Sequence, residues 1–423
     1  MYIIYNLIFL IFMLVYLPLY FFRGKFHRGF FRRFGFLPKG LNLEEPIWIH
    51  AVSVGEVISI KGLIDKIRET YPNKKLVIST VTATGNKIAR SLISEGDFLT
   101  YLPLDFSFII KRVMRKIKPC LFIIAETEIW PNLIACLYKE KIPIVTVNGR
   151  ISDNSYSGYR TIRFLIRPIL SKIKKFCVQS ETDALRLINL GVAKENIQVT
   201  GNVKFDLNLA KAQESKVLVT REKLWLGLDS KLWVCGSTHP HEEEIIIKAY
   251  RELLLSCPKF KLLIAPRHPE RSKAIGRLVS ANSFMPIFIS NISGSCPTCI
   301  NNPVFILDVM GELFDYYSAA DIVFVGGSLV KAGGHNILEP ASQKKPVFFG
   351  PHMFNFRDIS RMFVENKAGI MVHDANDLVV KIKEILDSNL LAKQLVERAY
   401  DLIINNRGAT QKNIDVIKQI LAR

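Results

Sequence analysis

From about residue 46 onward, short runs rich in β-branched residues alternate with stretches of helical periodicity, and this alternation limits the possible folds more than any other feature. Runs at 47–52, 75–81, 121–125, 143–147, 175–179 and 197–200 read as strands, with helical patterns at 56–70, 85–95, 131–140 and 181–190 between them. Apolar strands separated by helices pair in parallel and are covered on both faces. The pattern restarts with strands near 232–236, 261–265, 304–308, 322–326 and 346–349, and helical patterns at 376–388, 390–404 and 410–422 close the chain. Residues 205–230 are polar, without a strand, and read as a linker. The expected architecture is α/β: two doubly wound, Rossmann-like domains, 46–204 and 231–423, facing a cleft at the carboxyl ends of both sheets.

The N-terminus is different. Residues 1–22 contain no charged side chain, and Asn6 and Pro18 are their only strong interruptions. As a helix they would extend roughly 33 Å, enough to cross the hydrocarbon core. Arg23, Lys25, Arg28, Arg32, Arg33 and Lys39 follow before the first acid, Glu44. A cleaved signal peptide has the reverse order, so the expectation is an uncleaved N-terminal membrane helix with the rest of the chain on the cytoplasmic side. Phe26, Phe30, Phe31, Phe34 and Phe36 interleave with the basic residues of 23–45, as in a segment lying on acidic headgroups.

The 423 residues, 49% hydrophobic and 22% charged, are too many for one ordinary domain and too apolar for disorder. With one bilayer-length stretch, a multi-span protein is excluded. Lys and Arg number 57 against 38 acids, and the net charge of +19 calls for an anionic partner. Between Asp153 and Glu181 there is no acid, yet Arg160, Arg163, Arg167, Lys172, Lys174 and Lys175 alternate with apolar residues. That run reads either as an amphipathic basic helix for a lipid surface or as a solvated outer helix. No nucleic-acid module accompanies the charge, so nucleic acid is not the expected partner. Seven scattered cysteines fit a reducing compartment, and the single close pair, Cys296 and Cys299, lacks the second pair of a zinc site. There is no dinucleotide fingerprint, P-loop, nucleophile elbow or Asp-x-Asp pair.

Several strand ends carry chemistry. His50-Ala51-Val52-Ser53-Val54-Gly55-Glu56 closes the first strand, with Gly55 permitting close backbone approach. Glu56 there is either a general base or an ordinary first-turn acid favoured by the helix dipole. Glu126 and Glu128 in Glu126-Thr127-Glu128-Ile129-Trp130-Pro131-Asn132 follow the strand 121–125; helix capping accounts for Thr127 and Pro131 but not for two acids. Lys204 either reaches an anionic group or forms a surface pair with an aspartate. In the second half, Pro266 and Arg267 end a strand, and Met310-Gly311-Glu312 opens a helix. Gly326-Gly327-Ser328 and Gly333-Gly334-His335-Asn336-Ile337-Leu338-Glu339 read as an anion cradle of backbone N–H groups, with Arg267, Glu312 and Glu339 converging on it. The alternative is a glycine-rich turn without a ligand.

Taken together, HAVSVGE, ETEIWPN, GNVKFD, PRHPER, MGEL and GGSLVKAGGHNILEPA resemble the Kdo (3-deoxy-D-manno-octulosonic acid) transferases of Gram-negative bacteria, over nearly the whole chain and without departure at these positions. The resemblance implies a glycosyltransferase of the B-type fold on the cytoplasmic face of the inner membrane. It implies inverting, metal-independent transfer of Kdo from CMP-Kdo to the tetraacyl disaccharide precursor of lipid A (lipid IVA) in lipopolysaccharide biosynthesis, without a cofactor. Carried over by motif, Glu56 is the catalytic base, and Glu126 and Lys204 serve the transition state. CMP contacts fall on Pro266, Arg267, Met310, Gly311, Glu312, Asn336, Ile337, Leu338 and Glu339. The phosphorylated lipid acceptor and inner-membrane phospholipids are the other implied partners. Two readings compete: a UDP-sugar transferase acting on another lipid, and a membrane-anchored binding protein of the same fold without catalysis.

Overall fold

The alternation is realised as two all-parallel sheets in a computed structural model that describes residues 2–22, 28–38, 40–206, 214–227, 229–292 and 302–422; within the first helix it describes the side chains of 5–15. The chain forms two compact units, Met1–Asp206 with Asn406–Arg423, and Leu207–Asn405.

In the first unit, β1 (Ile47–His50), β2 (Leu76–Thr80), β3 (Phe98–Tyr101), β4 (Leu121–Ala125), β5 (Ile144–Gly149), β6 (Lys175–Val178) and β7 (Ile197–Val199) lie in the order β3-β2-β1-β4-β5-β6-β7. Alternate residues of each strand serve opposite layers. Ile47 and Ile49 pack with Val57, Ile60 and Leu63 on one face. Trp48 packs with Phe122, Leu133 and Ile134 on the other. Each such fully buried aliphatic side chain contributes about 1.5–3 kcal/mol relative to exposure. The Trp48 indole N–H donates to Ser79 Oγ at 2.8 Å, and His50 Nδ1 lies 3.0 Å from the Ser79 carbonyl. Burial lowers His50 to about 4, so the histidine of the first motif is a neutral part of the core.

The second unit repeats the plan. β8 (Lys231–Thr238), β9 (Phe260–Pro266), β10 (Met285–Phe288), β11 (Pro303–Ile306), β12 (Ile322–Val325), β13 (Val347–Phe349) and β14 (Ile370–Met371) lie in the order β10-β11-β9-β8-β12-β13-β14.

Several boundaries differ from the sequence reading. The segment read as a linker contains the helix Glu214–Lys223, where Arg221 donates to the Ala319 carbonyl and pairs with Asp321, tying it to the second unit. At the other end of the chain, the helix Ala409–Leu421 belongs to the first unit, because Ile414, Val416 and Ile417 fill the layer beneath β1. Its start is held by Asp206, whose carboxylate accepts the N–H groups of Gly408 (2.6 Å) and Thr410. The basic run of 160–175 spans the end of the helix Asp153–Thr161, a break at Ile162, the helix Arg163–Leu170 and a turn into β6 that carries Lys172 and Lys174.

The first helix, Tyr2–Phe22, has one face docked on the first unit. Asn6 donates to Ser107 Oγ (3.1 Å) and accepts from the Asn132 side chain (2.8 Å), the Phe9 ring packs at a tilt against Phe106, and Met13 is buried with Leu104 and Ile109. The other face exposes Leu7, Ile8, Leu10, Ile11, Leu14 and Val15. Among the described residues, no helix is long and apolar enough to cross a membrane. The basic segment that follows is also partly docked: Arg32 and Arg33 donate to the Leu99 and Leu102 carbonyls, and Phe30 is buried. Arg23, Lys25, Phe26, Lys39, Cys296 and Cys299 lie outside the described residues.

The cap supplied by Asp206 gives a direct test of the chain's return. Asp206→Ala should destabilise the first unit by about 1–2 kcal/mol, the usual cost of losing a helix cap. Urea unfolding followed by tryptophan fluorescence measures it; an unchanged midpoint would mean that the terminal helix holds without the cap.

Candidate active site

The strand order reverses between β1 and β4 in the first unit and between β8 and β12 in the second, where β10 and β11 are also exchanged at the edge. Loops leaving such a point diverge to opposite faces and open a crevice at the strands' carboxyl ends.

Glu56 lies on the β1 side of the first crevice. Ser53 caps the helix Val54–Ser59, and its hydroxyl donates to Glu56 Oε1 (2.9 Å) while the Val52 N–H donates to Oε2 (2.7 Å). This capping-box arrangement fixes the carboxylate at the helix start, 8% exposed. Burial raises its affinity for a proton above the ordinary value, the Val52 N–H opposes this, and the negative charge of Glu126 adds to it. The helix-start reading and the general-base reading therefore describe the same side chain. A Cβ at Gly55 would meet only Ser53 Oγ, at 3.9 Å, so packing does not demand glycine there.

Glu126 lies on the β4 side. Its backbone is left-handed (φ 58°), and its N–H donates to the Val147 carbonyl at 2.9 Å, turning the chain sharply as it leaves the sheet. Burial raises its carboxyl, against the cations Lys204 and Arg150. Glu128 is pushed to about 7 by burial and then by the charges of Glu56 and Glu126. Three carboxylates within electrostatic reach cannot all ionise cheaply, so the cluster holds a proton near neutral pH.

The cations come from the neighbouring strand ends. Arg150 follows β5, and its N–H donates to Thr127 Oγ1 (3.1 Å). Thr127 is therefore engaged across the sheet and does not cap the following helix, Pro131–Lys139. That work falls to Asp105, which accepts the N–H groups of Asn132 (3.0 Å) and Leu133 (2.9 Å). Lys204 sits on a single turn, Val203–Phe205, pinned by the Asn148 side chain accepting from the Val203 N–H at 3.2 Å. Gln179 bridges the same framework, donating to the Asn148 carbonyl and accepting from Asn202. Asp206, two residues on, accepts N–H groups at the start of the terminal helix.

In the second unit, the loop read as an anion cradle is already filled. The Glu242 carboxylate, fully buried, accepts N–H groups from Gly327 (2.6 Å), Ser328 (2.9 Å), Leu329 (2.9 Å) and His239 (2.9 Å). Gly333 and Gly334 have left-handed backbones, which favour glycine, and a Cβ on either would also lie 2.2 Å from Asn355 Nδ2 or Met353 Sδ unless those side chains moved. Beyond this turn, Asn336 donates to Glu339 Oε1 (3.1 Å) and accepts the Leu338 N–H (3.1 Å), with Ile337 and Leu338 buried. Burial raises Glu339, against the Asn336 hydrogen bond and the charge of Arg267, which is exposed after Pro266 at the end of β9; burial and then Arg267 lower His335 to about 4. His335 Nε2 lies 2.9 Å from His239 Nε2, so one ring donates an N–H to the other. Met310 is exposed and Gly311 left-handed, while Glu312 pairs with Lys223 at 3.6 Å.

The structure thus brings Glu56, Glu126 and Lys204 together, and likewise Arg267 with Asn336 and Glu339. Glu312 turns instead to Lys223 and Tyr316. Glu128, Arg150 and the Asn148–Gln179 framework were not singled out as site residues from sequence; the paired acids after β4 were the available signal for Glu128. Among the described residues, no group of three or more His, Cys, Asp or Glu side chains is arranged to hold a metal ion.

Two parallel-sheet units of this kind are the architecture of B-type glycosyltransferases. A glycosyltransferase from Rickettsia africae has a similar fold, with a TM-score of 0.55 at 17% identity over 89% of this chain and 99% of that one. The profile of the family described as 3-deoxy-D-manno-octulosonic-acid transferase (kdotransferase) matches residues 28–207. A 3-deoxy-D-manno-octulosonic acid transferase of Haemophilus influenzae is 39% identical over 378 residues, 89% of this chain and 87% of the relative. One from Chlamydophila psittaci is 34% identical over 370 residues, 87% and 83% respectively. The chain belongs to this Kdo transferase family and is a glycosyltransferase.

The carboxylate cluster carries a pH signature. Because Glu128 titrates near 7 when folded and lower when unfolded, the folded chain binds the extra proton and loses stability as pH rises from about 4.5 through 7. Glu128→Gln should therefore raise the melting temperature at pH 8 and change it little at pH 4.5. Thermal melts at both values measure it, and equal shifts would place Glu128 outside the cluster.

Proposed function

We propose that the protein transfers Kdo from CMP-Kdo to the tetraacyl disaccharide precursor of lipid A by inverting displacement, without a metal ion. The observation that carries the reading is Glu56: a nearly buried carboxylate, raised in basicity, held by two donors at the switch point of a Kdo transferase chain. In the step proposed, an acceptor hydroxyl oxygen attacks the anomeric carbon, Glu56 takes the hydroxyl proton, and the bond to phosphate breaks with its electron pair leaving on CMP. Lys204 offers a cation to the Kdo carboxylate beside the anomeric carbon, and Glu126 orients Lys204 and holds Glu56 basic through its charge. Pro266, Arg267, Met310–Glu312 and Asn336–Glu339 form the CMP contacts in this reading. Arg267 takes up the charge of the single leaving phosphate.

The first helix attaches the enzyme to the cytoplasmic face of the inner membrane. The uncharged run 1–22, the basic residues after it and the exposed apolar face between Leu7 and Val15 support this.

Glu56→Gln should retain CMP binding and reduce transfer by about 10²–10⁴-fold, the usual contribution of a general base; turnover near the parent rate would remove Glu56 from the mechanism. Arg267→Ala should weaken CMP by about 1.5–3 kcal/mol, a lost charge-assisted hydrogen bond. Calorimetry reads the second, and an unchanged affinity would refute the placement. Mass spectrometry of the lipid after incubation with CMP-Kdo and chelator tests the whole reaction. Protection by UDP equal to that by CMP would favour a UDP-sugar transferase; no Kdo increment with CMP still bound would favour a binding protein.

A further inference from the structure

Away from the carboxylate cluster, the first unit carries a groove of about 930 Å3 between the helices Ser107–Ile117 and Pro131–Lys139. None of Glu56, Glu126, Glu128 or Lys204 lines it. Lys111 and Arg115 are four residues apart and so share one side of their helix, Lys118 follows as its left-handed C-terminal residue, Lys139 stands on the facing helix, and Lys172 also lines the groove. Glu140 is the sole carboxylate among the lining residues, and the floor is apolar, with Met114, Cys136 and Ile142. Lys111, Arg115, Lys118 and Lys139 are exposed and form no ion pair among the described residues. A groove with this charge balance suits a phosphate-bearing ligand.

What borders the groove narrows the ligand further. Ser107 and Asn132 close one end, and they are the two side chains that hold Asn6 of the first helix. That helix therefore passes the groove's end with its exposed face of leucine, isoleucine and valine, and Phe108, beside Ser107, is 66% exposed. A cationic slot joined to an apolar ridge matches an amphiphile, with phosphate in one and acyl chain on the other. We propose that this groove seats the headgroup phosphate of an acidic phospholipid whose acyl chains lie along the exposed face of the first helix. The proposal rests on the membrane-attachment reading above and assigns it a specific headgroup site.

The test compares full-length protein on vesicles of phosphatidylcholine and of phosphatidylcholine with phosphatidylglycerol. The groove variant carries Lys111→Gln, Arg115→Gln, Lys118→Asn and Lys139→Gln. A control removes the same charge from the second unit: Lys248→Gln, Lys273→Gln, Arg277→Gln and Arg398→Gln. The parent and control should prefer the acidic vesicles by about tenfold or more, and the groove variant should lose that preference while binding phosphatidylcholine as the parent does. A preference that survives in the groove variant, or falls equally in the control, overturns the proposal. Lys139→Glu alone should weaken the preference in the same direction and serves as a second, milder variant.

Calorimetry with water-soluble dihexanoyl-phosphatidylglycerol separates the site from the membrane. Saturable binding that the groove variant loses supports the proposal even if the parent fails to bind either vesicle, an outcome that would sink the attachment reading alone. Equal affinity for inorganic phosphate, or preferential binding of the phosphorylated disaccharide acceptor, would overturn the phospholipid assignment.

Discussion

A parallel strand covered on both faces leaves a ligand little to reach except its carboxyl end, and this constraint locates the chemistry of both units. In β1, Ile49 and Trp48 commit alternate residues to two different core layers, so polar groups can emerge only after His50. The helix after β1 packs on the layer that holds Val57 and Leu63, and the helix after β4 packs on the layer that holds Leu133 and Leu137. The two connections part at the switch point, leaving Glu56 on one side and Glu126 on the other. The left-handed residue at Glu126 follows from the same demand: the chain must leave the sheet within one residue while its N–H still pairs with Val147.

The exposed end of a sheet also explains why cations arrive from elsewhere in the sequence. Arg150 leaves β5, which lies beside β4, and Lys204 follows β7, two strands further along the same side, because the sheet is wound in order there. The Asn148–Gln179–Asn202 framework then converts adjacency into position, since it fixes the turn that bears Lys204 through backbone and amide hydrogen bonds. Losing that framework would loosen Lys204 without touching any charged group.

Most of the fold could be read in advance because the strands are long apolar runs with clear helical patterns between them. What escaped has local causes. β3 begins just after Gly96 and Asp97, β10 contains Pro286, and β14 is two residues long, so none offers a run that periodicity can detect. The return of Ala409–Leu421 to the first unit depends on Asp206, about two hundred residues earlier, and a window on the helix alone cannot see it. The glycine-rich turn after β12 reads as an anion cradle, yet the N–H groups of Gly327, Ser328 and Leu329 are taken by Glu242, a buried acid in what reads as an ordinary helix start. Glu56, Glu126 and Lys204 were legible as strand-end motifs and Glu128 as the second acid after β4, whereas Arg150 needed the three-dimensional charge balance.

Hydrogen-bond donors separate the structural acids from the chemical ones. Asp105, Asp206 and Glu242 each accept two or more backbone N–H groups contributed by distant residues, so each completes the start of a helix or loop that lacks its own cap. Burial still lifts Asp105 to about 6, which shows that the N–H groups offset the cost of desolvation without abolishing it. Glu126 and Glu128 have no side-chain hydrogen-bond donor among the described residues, although burial raises both. Both are half-buried, and among the two only Glu126 has cations, Lys204 and Arg150, to offset part of the cost. Glu56 stands between these classes. Ser53 and Val52 orient its carboxylate as they would in a structural cap, while burial and the charge of Glu126 keep it basic. A general base needs orientation and raised basicity together, and within the cluster Glu56 alone combines them.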